Sequence, residues 1–135
     1  MPAILLLKHT WTTSVKNDTG GAVLGDVQVV TGSTEFNESV QVAPSTTAEM
    51  DCGSIPFAKI VSMFMTCDQA VTVDTNAADG TGGQVIALAA KKAYGWKSTD
   101  PTACPITANI TKIYVTNAGT SPANFRAAFL LNQIV

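Results

Sequence analysis

The chain has 135 residues, with 8 Lys and Arg against 10 Asp and Glu for a formal net charge of -2. That length suits one folding domain, residues 1–135, and the balance excludes the basic footprint by which nucleic acid or anionic membranes are bound. The charged fraction of 13% is about half the ordinary share, and Thr, Ser, Val, Ala and Asn fill the difference, a mixture that suits pleated sheets better than helices.

Residues 1–13, MPAILLLKHTWTT, form a first strand or an extended N-terminal arm. The apolar run 4–7 is too short for a signal or membrane-spanning segment, so secretion and membrane insertion are not expected. Asn17, Asp18, Thr19, Gly20 and Gly21 make a turn cluster. Residues 22–31 then set Val23, Val27 and Val29 on one face against Asp26 and Gln28 on the other, the period of a half-buried strand. After Gly32 and Ser33 the alternation resumes through Phe36, Val40 and Val42, and Pro44–Thr47 reads as a turn. Residues 50–56, MDCGSIP, read as an irregular connector.

Residues 57–67 are apolar on both faces, as in a central strand covered on each side, with a single helical turn as the competing reading. Residues 71–75 alternate Val with Thr and Asp, so one side should be wet. Residues 76–83 make a long hairpin loop, and 84–90 return as a strand. Tyr94-Gly95-Trp96 precede a Pro-containing loop. Strands at 110–115 and 123–131 finish the chain, the last with Ala123, Phe125, Ala127, Phe129 and Leu131 facing one way and Asn124 and Arg126 the other. About eight antiparallel strands at this spacing predict an all-β sandwich.

No catalytic set stands out. His9 is the one imidazole, no G-x-S-x-G turn presents a nucleophile, and no two carboxylates are tied to a common cleft by their spacing. The three cysteines, Cys52, Cys67 and Cys104, lack C-x-x-C spacing and read as small buried hydrophobes in a reducing compartment. Residues 74–80 set oxygen side chains beside a glycine, but in the register of a calcium loop Ala78 falls on a ligand position and Asp79 on the glycine position, so a polar hairpin loop is expected. Gly80 to Gly83 precede a strand and lack a Lys-Ser/Thr ending, so they are not a phosphate cradle. No cofactor or metal is expected, and an enzyme is not.

The succession KIVSMFMTCDQAVTVDTN, a Gly-rich gap, VIALAAKKAYGW, then TANITKIYVTNAG and a last apolar strand resembles a recurrent layout of small virion structural proteins of tailed bacteriophages, over residues 57–131. The earlier part of the chain carries none of it. The resemblance implies a jelly-roll-like β-sandwich of the capsid decoration or cement type. Such a subunit would be a dimer or trimer, assembled in the host cytoplasm and bound to the major capsid protein on the virion exterior. Under it, Leu5, Leu7 and Trp11 of the arm, with Ile134 and Val135, are the expected subunit or capsid contacts. A carbohydrate-binding or receptor-binding module of a tail or head fibre, stacking sugars on Trp11, Tyr94 or Trp96, is the alternative.

Overall fold

The structure, a computed structural model, describes residues 7–16, 23–79 and 81–133, with the side chains of 13–16 and 23–26 left out of the description. Among the described residues ten strands form: β1 (Leu7–Lys16), β2 (Val23–Gly32), β3 (Thr34–Val42), β4 (Thr46–Ile55), β5 (Ile60–Cys67), β6 (Val71–Thr75), β7 (Val85–Leu88), β8 (Tyr94–Lys97), β9 (Ile110–Asn117) and β10 (Ala123–Leu131). β1 and β2 pair as a separate two-stranded sheet. The other eight form two four-stranded sheets, in the orders β3-β10-β5-β8 and β4-β9-β6-β7, and every pairing is antiparallel. The first, eighth, third and sixth of these eight strands thus make one sheet, and the second, seventh, fourth and fifth the other. This is the jelly-roll order of two interlocked Greek keys.

The core lies between the two sheets. Met63, Met65, Phe125 and Phe129 enter it from one side, and Val73, Ile110, Ile113 and Val115 from the other. Ile106, from the loop before β9, is buried with them. Asn117 is buried but satisfied: its amide donates to the carbonyls of Val42 (3.1 Å) and Ser121 (2.7 Å), and its oxygen accepts from Gly119 N–H (3.0 Å). The turn between β9 and β10 is thereby tied to the end of β3.

Residues 46–55 are a strand and not a connector. Gly53 at φ 67° marks a bulge, and the register with β9 jumps between Asp51 and Ile55. The shift lets Met50 and Ile55 both face the core although they are an odd number of residues apart. Phe57–Lys59 is a 3-10 turn, so the helical reading holds for the start of 57–67 and the strand reading for the remainder. β5 lies inside its sheet between β10 and β8. A bulge at Val61, where Leu130 faces Ser62 and Leu131 faces Ile60, turns Ile60 inward and leaves Ser62 and Phe64 on the outer face.

Two further expectations need correction. On β2 the exposed face is the valine face, Val27 at 62% and Val29 at 52%, while Val30 is buried and Gln28 half-buried. The hairpin docks through its other side because that side carries Trp11 and His9 of β1. On β6 the expected wet side is dry beyond Thr72, since Asp74 is buried. The Asn17 to Gly21 turn lies outside the described residues.

Candidate functional site

The β1–β2 hairpin lies across the outer face of the β3-β10-β5-β8 sheet. Period-two alternation sends His9 and Trp11 toward that face and leaves Lys8, Thr10 and Thr12 exposed. Two glycines permit the close approach. A Cβ on Gly95 would stand 2.5 Å from Trp11 Cη2, and one on Gly32 would stand 2.7 Å from Leu130 Cγ. Leu130, outward-pointing and fully buried, is the apolar anchor of this second, smaller interface.

Its polar centre is Ser62, with 0% exposure. Trp11 Nε1–H donates to Ser62 Oγ at 2.9 Å, and His9 Nδ1 lies 2.7 Å from the same oxygen. An indole N–H can only donate, so Ser62 Oγ accepts from Trp11 and shares a second hydrogen bond with His9 Nδ1. The other ring nitrogen, His9 Nε2, lies 3.7 Å from Glu35 Oε1. A serine, an imidazole and a carboxylate are thus brought together from β5, β1 and β3, which separate readings of His9 and the carboxylates did not anticipate. Their geometry is that of a latch. The hydroxyl is sealed beneath the hairpin and occupied by the indole, so no carbonyl carbon can approach it as nucleophilic attack requires.

Beside the latch runs a groove of about 600 Å³, between β1 and the outward side chains of β3, β10 and β5. Phe64 lies at its floor, 37% exposed, and meets Trp11 edge-on with ring centroids 6.0 Å apart and planes at 66°. A polar rail follows one wall: Arg126 Nε donates to Asn37 Oδ1 (3.4 Å), and Asn37 Nδ2 donates to Glu35 Oε1 (3.1 Å). Lys97 Nζ sits 5.1 Å from the centre of the Trp11 ring, a cation–π contact, and pairs with Asp100 at 2.6 Å. That hydrogen bond, helped by the Lys97 charge, holds the Asp100 carboxyl below its usual range.

Of the residues expected at subunit contacts, Leu7 is half-buried at the start of β1 and Trp11 is fastened to its own domain. Leu5, Ile134 and Val135 lie outside the described residues. Tyr94 and Trp96 share no platform with Trp11. Both pack partly buried against the core, and Trp96 Nε1 donates to the Thr102 carbonyl at 2.9 Å.

The loop after Asp74 is organised by Asn76, at φ 68°. Its side-chain amide donates to the carbonyls of Asn109 (2.8 Å) and Gly82 (3.1 Å), and its oxygen accepts from Thr111 N–H (2.8 Å). Asp79 accepts from both N–H and hydroxyl of Thr81. Among the described residues no three His, Cys, Asp or Glu side chains converge on a metal position. Cys52, Cys67 and Cys104 are all free. Burial, reinforced by the charges of Asp51 and Glu38, pushes the Cys52 thiol up to about 11, and burial raises Cys67 and Cys104 as well. Thiols in this state are poor nucleophiles.

Comparison of the chain with family models, with curated proteins and with solved structures gives no match.

Proposed function

We propose that the chain is a structural subunit of a phage virion, a decoration or cement protein that binds the major capsid protein on the outside of the shell. The observation that carries this reading is the jelly-roll order of β3 to β10, which is the fold the residues 57–131 resemblance implies. The outward face of the hairpin supports it. Val27 and Val29 stand exposed beside Thr10 and Thr12, an uncharged stripe that would gain by burial against a neighbour. On this reading Leu5, Leu7, Ile134 and Val135 contribute further contacts in a dimer or trimer, and Trp11 contributes by holding the hairpin in place. The work done is thermodynamic: a subunit that binds the assembled lattice and not its free parts stabilises the lattice by linkage.

The test is addition of the purified full-length protein to phage shells that lack it. Co-sedimentation at saturable stoichiometry, with a rise in the melting temperature of the shell, is the expected result. Protein that stays in the supernatant at every concentration, with the shell's melting unchanged, rejects the reading.

A further inference from the structure

We propose that the groove between β1 and the outer face of β3, β10 and β5 binds an acidic oligosaccharide, a linear chain containing hexuronate units. Its volume of about 600 Å³ falls among small-ligand clefts, which span ~300–1,000 Å³. It is partly open to solvent, so it suits a stretch of polymer better than an enclosed cofactor.

The lining narrows the chemistry. The groove presents one exposed aromatic ring, Phe64, held by its edge contact with Trp11. A pyranose ring places its C–H face on such a surface while its equatorial hydroxyls reach sideways. Sideways here lie the Asn37 amide and the hydroxyl of Thr66. A lipid chain would leave these polar groups unpaired, and a nucleic acid would need a longer basic stripe than the groove offers.

The charge then selects an acidic sugar. Arg126, the one arginine in the sequence, lines the groove, and its one hydrogen bond among the described residues, from Nε to Asn37 Oδ1 at 3.4 Å, leaves the two terminal nitrogens for a carboxylate. Lys8 is a second exposed cation on the β1 wall. Glu35 is the one carboxylate among the groove's described lining residues; it accepts from Asn37, and Lys8 and Arg126 outnumber it. The proposal does not rest on the capsid reading. A subunit carried elsewhere would have the same groove.

The experiment is an amide NMR titration and a calorimetric titration of the full-length protein with a hyaluronan hexasaccharide, which alternates glucuronate with N-acetylglucosamine, and with neutral maltohexaose. The hyaluronan hexamer is expected to move amides of β1, β3 and β10 and to bind at least tenfold more tightly than maltohexaose. Its affinity should fall severalfold between about 0.02 M and about 0.2 M NaCl, because both cations are exposed. Arg126→Gln should weaken it about tenfold, as the loss of a bidentate charged contact does. Phe64→Leu keeps an apolar contact for Trp11 while removing the ring face, and should weaken both hexamers. Three results overturn the proposal: equal binding of the two hexamers, shifts confined to another face, or no binding of the hyaluronan hexamer or an oligogalacturonate hexamer at about 5 mM. Folded Arg126→Gln and Phe64→Leu variants that both bind like the parent overturn it too.

Discussion

The Trp11 indole and the Gly95 α-carbon are fitted to each other, with no room at position 95 for a methyl group: its carbon would lie 2.5 Å from Cη2 and 2.9 Å from Cζ3. The carbonyl of Met63 is also close, 3.2 Å from the same point. Gly95→Ala is therefore expected to lift the hairpin, at about 1–3 kcal/mol for forced overpacking. A two-stranded sheet is marginal on its own, so the effect should be local. Hydrogen exchange should quicken across residues 7–12 and 27–32 while the amides of β9 and β10 keep their protection.

Ser62→Ala removes a hydroxyl that serves two partners at once. Trp11 Nε1–H and His9 Nδ1 would both be left in a partly buried interface with nothing to bond. Unfolding in denaturant should show a loss of about 1–3 kcal/mol, and replacing Trp11 as well should add less than the sum of the separate effects.

Asn76 combines a left-handed backbone with a side chain that bonds two other segments of chain, at Gly82 and at 109–111. Asn76→Gly and Asn76→Ala lose the same hydrogen bonds, but only alanine also meets the left-handed penalty of about 1–2 kcal/mol. The order of melting temperatures should be parent, then glycine, then alanine. Equal melting of the two variants would show that the backbone relaxes at this position.

Two aspartates should give opposite responses to pH. Burial, with the Asp79 charge adding to it, raises the Asp74 carboxyl above its usual range, so the fold favours its neutral form. Asp74→Asn should raise the melting temperature at pH 7, and the gain should shrink as pH falls through the raised value and vanish below the unfolded value of about 3.9. Asp68 is the reverse. It accepts from the Asn124 backbone N–H and side-chain amide, both at 2.8 Å, and these bonds hold its carboxyl below its usual range. Its contribution is present above about pH 3.9 and is lost as pH falls through the lowered value, so Asp68→Asn should lower the melting temperature at pH 7.

The strands that sequence reading located are those whose side chains alternate without interruption. β6 was expected at 71–75 and occurs there, and the inward and outward residues of β10 were assigned correctly from Ala123 to Leu131. β4 was missed because its bulge breaks the period: Asp51, Cys52, Gly53 and Ser54 look like a turn when the phase reset between Met50 and Ile55 is unknown. β8 was missed because it is an edge strand of four residues with a glycine inside. The two-sided apolar character of residues 60–67 did signal a covered outer face, but not what covers it. The latch and groove were illegible for a different reason. His9, Glu35, Ser62 and Arg126 are ordinary residues in their own segments, and only strand order sets β1, β3, β5 and β10 side by side.

That strand order also governs how the chain is made. β3 leaves the ribosome early, yet its one neighbour in the sheet is β10, the last strand, and β4 in the same way waits for β9. Contacts between such distant segments form slowly, and until they form both waiting strands carry open edges. β10 also stands between β3 and β5, so a chain cut short before Ala123 has no centre to that sheet and no Leu130 beneath its hairpin. Closure of the sandwich thus waits on its final strand: until β10 is in place, β3 has no neighbour in its sheet and β5 lacks one of its two.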